Sequence, residues 1–447
     1  MRAMRSMPTV RPLIVTILVA TMSMGAAILS GPPSYARTTS ALPAAPSGAG
    51  LSVSRATRTM FPDTAAGSIW TVEKSKNPKH RQVNDTYFEG VSASGPGEAW
   101  AVGSYADKKA LDDPLVEHWN GTTWSRVTVP QPTGQQALFH GVDDLAPTDA
   151  WAVGTSFSGG VGATPAGLTL IEHWDGNAWS IVPSPNPANG VNGDSDVLEA
   201  ISGTGPDDLW AAGWGNDEDT GTIALLFEHW DGTAWQAATS PTPGGSFQFA
   251  FGITAVSPDD VWAVGSDETG QPVTLTANWN GKAWSITPAP NLNGGPDAQN
   301  ELTGVSATGA DNVWASGFAD NVNDENLADP FVLHWNGKAW TLTKVPNPNA
   351  SKEGSRLNSI RALSPKDVWA VGQTQKNNGS ILTLAEQYNG SSWTVSTSPD
   401  PGMLGNLVDN SLDSVDSAGG GNLFAVGADE MTGQCCLRTL AIGTSQG

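Results

Sequence analysis

The chain has 447 residues and a formal net charge of −22, although only 15% of its residues are charged. A surface this acidic repels nucleic-acid phosphates and anionic membranes, which excludes nucleic acid as a partner. The length suits one large repeat domain or a few ordinary ones.

The first 36 residues have the pattern of a secretory signal peptide. An apolar run from Leu13 to Leu29 follows three basic residues, and Ser34-Tyr35-Ala36 places small side chains at a cleavage position. The basic residues are Arg2, Arg5 and Arg11. An uncleaved membrane anchor is the alternative. We expect cleavage, a secreted or surface-associated protein, and no stable membrane insertion of the mature chain.

Residues 37–60 are rich in Ala, Ser, Pro and Thr, which predicts a disordered linker. Beyond the linker, a four-residue word close to Trp-Ala-Val-Gly recurs at intervals of 51 to 59 residues. A period of about 50 residues is typical of stacked supersecondary units. The copies begin at Trp100, Trp151, Trp210, Trp262, Trp314, Trp369 and Phe424. We expect these aromatic residues to have a structural role, filling the space between units.

Four short strands are predicted in each unit, because β-branched and aromatic segments alternate with Gly, Pro and Asn. In the first unit they span about 87–94, 98–105, 114–120 and 122–130. An Asn-Gly or Asp-Gly pair stands between the third and fourth strands of six units, which predicts a tight hairpin turn. An aromatic residue precedes each pair, and a Trp follows three residues after the Gly.

The seventh unit has no fourth strand, since the chain ends soon after a third strand predicted at 437–442. Trp70 begins an N-terminal strand, and Pro78 follows it by eight residues, the spacing found after the fourth-strand Trp of five other units. We therefore expect the N-terminal strand to complete the last blade. The predicted fold is all-β: residues 61–447 form a seven-bladed β-propeller of four-stranded antiparallel blades.

The repeats resemble the kelch-type β-propeller family. The segment from Val116 to Trp119 with Trp124, and the segment from Ile171 to Trp174 with Trp179, are similar to kelch third and fourth strands. The second Gly of the kelch pattern is missing. The resemblance implies the fold of the galactose oxidase central domain, but its copper site has no counterpart.

The copper site of galactose oxidase needs a Tyr cross-linked to a Cys, a second Tyr and two His. After the signal segment this chain has only Tyr87, Tyr105 and Tyr388, and its two cysteines, Cys435 and Cys436, are adjacent. A sialidase is equally disfavoured, because no arginine cluster is evident. We therefore expect no cofactor, with Ca²⁺ as the one candidate ion.

Long loops on one face of the propeller are the expected binding surface. Trp214 is the single Trp outside the repeat pattern, and Phe318 holds the same position two units later. Tyr105 and Phe157 are further candidates at loop ends. These four aromatic side chains are predicted to bind ligand, and the alternative is that they pack beneath their own loops.

Oxygen-bearing side chains mark a candidate calcium site at Asn192, Asp194, Asp196 and Glu199, with a solvated acidic surface as the alternative. His residues recur beside the third-strand aromatic of four units, at His118, His173, His229 and His334. Because the blades radiate, we expect them to be hydrogen-bonded structural residues and not ligands of one metal.

These observations predict a secreted, non-catalytic and monomeric binding scaffold that engages an extracellular glycan or protein through its long-loop face. The alternative function is a carbohydrate-active hydrolase or lyase that uses loop-face carboxylates. Carboxylates that meet across the central channel are a second set of candidate catalytic groups for such an enzyme. A purely structural surface protein is a third reading of the same sequence.

Overall fold

The computed structural model describes residues 69–77, 85–106, 112–158, 166–188, 194–241, 246–270, 272–292, 298–321, 324–349, 354–401, 408–431 and 437–444. The described chain has a propeller-like all-β fold, and no helix in it is long and apolar enough to cross a membrane. The predicted signal segment and linker, Asn192 and both cysteines lie outside the described residues.

Twenty-eight strands are present in these ranges, and they follow the predicted repeat. The N-terminal strand is β1 (Trp70–Glu73). Repeat 1 comprises β2 (Thr86–Gly95), β3 (Glu98–Ala106), β4 (Asp112–Trp119) and β5 (Trp124–Val127). Repeat 2 comprises β6 (Gln136–Ala146), β7 (Asp149–Ser158), β8 (Ala166–Trp174) and β9 (Trp179–Ile181). Repeat 3 comprises β10 (Ser195–Gly205), β11 (Asp208–Asp217), β12 (Thr222–Trp230) and β13 (Trp235–Ala238).

The second half of the chain continues the same order. Repeat 4 comprises β14 (Gln248–Ser257), β15 (Asp260–Asp267), β16 (Val273–Trp279) and β17 (Trp284–Ile286). Repeat 5 comprises β18 (Ala298–Gly309), β19 (Asn312–Asn321), β20 (Asp324–Trp335) and β21 (Trp340–Thr343). Repeat 6 comprises β22 (Ser355–Ser364), β23 (Asp367–Gln375), β24 (Ile381–Tyr388) and β25 (Trp393–Ser396). Repeat 7 comprises β26 (Val408–Gly419), β27 (Asn422–Met431) and β28 (Arg438–Thr444).

Each repeat is an antiparallel meander in which consecutive strands pair. Repeats 2 and 3 share one eight-stranded sheet, joined where Ser195 of β10 pairs in parallel with Gly167 of β8. Strand β1 pairs with β28, with Trp70 opposite Thr444 and Glu73 opposite Ala441. The N-terminal strand is thus the fourth strand of the sheet formed by repeat 7, the pairing expected from the position of Trp70.

The hairpin turns between third and fourth strands have the predicted chemistry. In the first turn, Gly121 has a φ of 89°, and Asn120 Oδ1 accepts hydrogen bonds from the backbone N–H groups of Thr122 and Thr123. A positive φ without steric cost requires Gly, and an Asn or Asp before it closes the turn. The equivalent Gly of the other five turns also has a positive φ, between 83° and 91°.

Aromatic side chains hold neighbouring sheets together. The second-strand aromatics of all seven repeats are 1 to 7% exposed. Trp100 of repeat 1 meets Trp179 of repeat 2 edge to face, with ring centroids 5.0 Å apart. Phe424 of repeat 7 meets Trp124 of repeat 1 in the same way at 5.5 Å, so the last repeat packs on the first.

Candidate functional site

A central cavity of about 200 Å³ lies where the first strands of all the repeats meet. Strands β2, β6, β10, β14, β18, β22 and β26 contact one another in that order, and β26 also contacts β2. The cavity is lined by one four-residue segment from each: 89–92, 140–143, 199–202, 251–254, 303–306, 358–361 and 413–416. Since a single water needs only about 10–15 Å³ of such space, the cavity has room for an organic ligand.

A β-bulge interrupts every one of these seven strands at the start of its lining segment. The extra residue of a bulge is unpaired and re-aims its side chain, which is why bulges are common beside functional sites. We call these seven residues the bulge ring: Glu89, His140, Glu199, Phe251, Thr303, Asn358 and Asp413.

The residue after each bulge is Gly, Ala or Ser because the strands crowd together there. A Cβ added to Gly90 would lie 2.9 Å from the carbonyl oxygen of His140, and one added to Gly304 would lie 3.0 Å from the Cα of Ser359. Close approach of backbones therefore requires a small residue here and sets the spacing of the bulge ring.

His140 lies between two carboxylates of the bulge ring. Its Nδ1 is 2.5 Å from Glu89 Oε2 and 3.6 Å from Glu199 Oε2, and its side chain is 10% exposed. Burial lowers the pKa of His140, but Glu89 and Glu199 outweigh this effect and raise it to about 9. His140 is therefore an imidazolium at neutral pH, and its Nε2 is buried without a hydrogen-bond partner in the described chain.

Neighbouring groups orient the other polar members of the bulge ring. Trp214 Nε1 donates a hydrogen bond to Glu199 Oε1 at 2.9 Å. Asn358 Nδ2 donates to Asp413 Oδ1 at 3.2 Å, and Ser411 Oγ donates to Asp413 Oδ2 at 3.2 Å. Burial raises the pKa of Asp413 to about 7, and the nearby Glu89 carboxylate adds to this effect.

One apolar side chain, Phe251, interrupts the polar bulge ring. Its ring stacks on Phe249 with centroids 5.8 Å apart, and Phe249 meets Trp214 edge to face at 5.8 Å. Thr303 and Asn358 follow Phe251 around the cavity, so this arc carries no formal charge. The opposite arc, from Asp413 through Glu89 and His140 to Glu199, is charged. The cavity thus has an uncharged side, which includes the Phe251 ring, and an acidic side.

A second layer, three residues further along each strand, ties neighbouring repeats together. Side-chain oxygens in this layer accept backbone N–H hydrogen bonds from the next repeat: Ser92 from Asp144, Asp143 from Gly203, Ser202 from Ala255, Ser306 from Ala362, and Asp416 from Ala93. The last of these bonds, at 2.8 Å, joins repeat 7 to repeat 1. Arg361 Nε also lies 2.8 Å from Asp416 Oδ1, and burial raises the pKa of Asp143 to about 7.

The four predicted ligand-binding aromatics are covered by other side chains. Trp214 is 8% exposed and packs with Val197 and Ile223. Phe318 lies under the Arg356 guanidinium, 4.2 Å from its ring centroid. The remaining two are Phe157, which is buried, and Tyr105, which is half-buried beneath the Arg126 guanidinium. Of the four, Trp214 touches the bulge ring, through its bond to Glu199.

The described residues of the predicted calcium site make separate contacts. Asp194 Oδ1 accepts a hydrogen bond from the Glu218 N–H at 3.0 Å, and Asp196 Oδ2 accepts one from the Ala188 N–H at 2.9 Å. Glu199 belongs to the bulge ring. Within the described ranges, no group of three or more His, Cys, Asp or Glu side chains is arranged to hold a metal ion.

The four repeated histidines are structural, as predicted. His118 Nε2 lies 2.6 Å from Glu98 Oε1, and its ring lies 4.5 Å from that of Trp100. The equivalents pair with Asp149, Asp208 and Asn312 and stack on the Trp of their own second strand. The histidine that lines the cavity is His140, which lies outside this repeated pattern and was not predicted as a site residue.

No protein-family model and no curated protein matches the chain, so the kelch-like resemblance has no such support. Among solved structures, a protein of unknown function from Dyadobacter fermentans is 9% identical over 84% of this chain and 98% of its own, with a TM-score of 0.48. A six-bladed, fucose-recognising lectin from Aleuria aurantia is 12% identical over 69% and 93%, with a TM-score of 0.42. An ulvan lyase, a polysaccharide lyase, is 11% identical over 83% and 94%, with a TM-score of 0.48.

Proposed function

We propose that this protein is a secreted glycan-binding β-propeller that holds its ligand in the central cavity. The bulge ring carries this proposal: seven side chains, one from each first strand, combine several hydrogen-bonding groups with one aromatic ring. A protein ligand bound on the long-loop face is the other form of the predicted scaffold, and the mature chain is expected to be a monomer.

Seven blades closed into a ring are part of the proposal. Contacts run in sequence from β2 to β26 and back to β2, and the bond from the Ala93 N–H to Asp416 spans the junction between the last repeat and the first. The pairing of β1 with β28 gives repeat 7 its fourth strand. Closure of this kind protects sheet edges that would otherwise be open to aggregation.

The chemistry of the cavity suits a sugar ring. Sugar hydroxyls need both donors and acceptors, which the ring offers in His140, Asn358 and Asp413. The C–H face of a sugar is apolar, and Phe251 offers a flat apolar surface for it. Because the polar groups are already oriented by bonds to their neighbours, binding costs them little conformational entropy.

The test is a glycan array screened with the mature protein from Arg37, followed by calorimetry on the hits. Phe251→Ala should weaken binding by about tenfold or more, since truncating an aromatic side chain that anchors a ligand costs more than about 1.4 kcal/mol. Phe247→Ala is the matched control, because Phe247 is 40% exposed and does not line the cavity. A blank array, or equal losses in both variants, would contradict the proposal.

A carbohydrate-active hydrolase or lyase is the second candidate, and His140 favours it. A histidine held by Glu89 and Glu199, in a cavity that also contains Asp413 with a pKa raised to about 7, is the kind of perturbed cluster found at catalytic sites. Mass spectrometry of each glycan hit after incubation distinguishes the two functions. Product that disappears with Glu199→Gln indicates an enzyme, and an unchanged glycan indicates a binding protein.

A further inference from the structure

We propose that the bound glycan carries a free, protonated amine, so that the cavity selects an amino sugar over its N-acetylated form. This inference rests on the proposed glycan-binding function and adds the class of sugar. The observation behind it is the imbalance of charge around the cavity.

Acidic side chains outnumber basic ones in the cavity lining. The carboxyls are Glu89, Asp143, Glu199, Asp413 and Asp416, and the bases are His140 and Arg361. His140 is matched by Glu89 at 2.5 Å, and Arg361 is matched by Asp416 at 2.8 Å. The excess is therefore three carboxyls, in a cavity where burial already raises the pKa values of Asp143 and Asp413 to about 7. A bound cation would stabilise their ionised forms.

The arrangement fits an ammonium group better than a metal ion. Metal ions need three or more ligands converging at short distance, and the described residues offer no such group. An ammonium has three N–H donors that reach separate oxygens, so carboxylates on different strands can share it. Phe251, on the opposite arc, adds an aromatic face to which a cation is attracted.

His140 indicates that the cation belongs to a sugar and not to a simple polyamine. As an imidazolium with Nδ1 bound to Glu89, it has a second N–H at Nε2 that lacks an acceptor in the described chain. An imidazolium N–H repels an ammonium but donates readily to a hydroxyl oxygen. An amino sugar carries both groups on one ring: an ammonium for Glu199 and Asp413, and a hydroxyl for His140.

Calorimetry with a pair of matched ligands tests the inference. The glucosamine tetramer and the N-acetylglucosamine tetramer have the same ring and linkage, but only the first is charged. We expect the wild-type protein to bind the glucosamine tetramer about tenfold more tightly, since a hydrogen bond to a charged group is stronger than one between neutral groups. Spermidine, which has the charge without hydroxyls, should bind weakly.

Charge-neutralising variants locate the effect. Glu199→Gln and Asp413→Asn should each remove most of the preference for the glucosamine tetramer, whereas Asp219→Asn, an exposed turn residue, should leave it unchanged. Equal affinity for the two tetramers, or spermidine binding as tightly as the glucosamine tetramer, would overturn the inference. If the array nevertheless shows neutral glycans bound in a Phe251-dependent way, the proposed function stands and only the amine selectivity falls.

Discussion

Glu228 provides the sharpest test of how this fold tolerates a buried carboxyl group. Its side chain is fully buried in β12, and neither carboxyl oxygen has a hydrogen-bond partner among the described residues. In repeat 5 the equivalent residue is Leu333, since Glu228 pairs with Ala211 as Leu333 pairs with Ala315. The repeat architecture therefore accepts an apolar side chain at this position.

The expected magnitude follows from the pKa of this carboxyl. Burial, with a contribution from Asp196, raises the pKa of Glu228 from 4.5 to about 9. Between pH 4.5 and pH 7 the unfolded chain releases the proton while the folded chain keeps it, which costs about 1.4 kcal/mol per pH unit. Below pH 4.5 this carboxyl therefore does not reduce the free energy of unfolding. Between pH 4.5 and pH 7 the free energy of unfolding falls by about 3 kcal/mol, and it continues to fall until the pH passes the pKa of the folded state.

Glu228→Gln retains the shape and cannot titrate, so it should match the wild type at pH 4.5 and exceed its stability by about 3 kcal/mol at pH 7. Urea unfolding followed by Trp fluorescence at both pH values measures the difference. Glu228→Leu should also abolish the decrease in the free energy of unfolding between pH 4.5 and pH 7. Glu218→Gln is the control, because Glu218 is exposed. Parallel pH profiles for the wild type and Glu228→Gln would refute the reasoning.

Mutations at two further positions probe the contact between repeats 7 and 1 and the support of the cavity. Asp416→Ala removes the acceptor of the Ala93 N–H and the partner of Arg361, so it should lower the free energy of unfolding by about 2–3 kcal/mol; an unchanged urea midpoint would argue against a stabilising contact between repeats 7 and 1. Trp214→Ala should cost about 3–5 kcal/mol, because the side chain is 8% exposed. Trp214→Phe should keep most of that stability yet weaken glycan binding, since Phe fills much of the same space but cannot donate the hydrogen bond to Glu199; equal glycan affinity in Trp214→Phe and the wild type would show that this bond does not support the site.

Local patterns in the sequence were sufficient for the strands and turns. The Asn-Gly and Asp-Gly pairs specified the hairpins because a positive φ and a short acceptor side chain are needed at adjacent positions, as at Asn120 and Gly121. The fixed spacing of Trp and Pro also placed Trp70 in register with the fourth strands. These features depend on residues close together in the chain.

Only the tertiary structure revealed the bulge ring. Its members lie on seven different strands, and residues as distant as Glu89 and Asp413 become electrostatic neighbours. A repeated signal was present: each member is followed by a small residue and then by Val or Ile, as in Glu89-Gly90-Val91. The ring residues themselves vary from Glu to His to Phe. The shared signal therefore appears only when the seven repeats are compared with one another, and not in any single repeat.

The candidate aromatics show the same division. The sequence established that Trp214 and Phe318 lie outside the structural Trp pattern, but it did not determine what covers them. Packing against Val197 and Ile223 buries Trp214, and the Arg356 guanidinium covers Phe318.

The sequence by itself determined the strands, the turns and the repeat, because hydrogen-bonded hairpins are set by neighbouring residues. The cavity, its charge and the pKa of His140 were decided by the tertiary structure, because they depend on the distances between strands that are far apart in the chain.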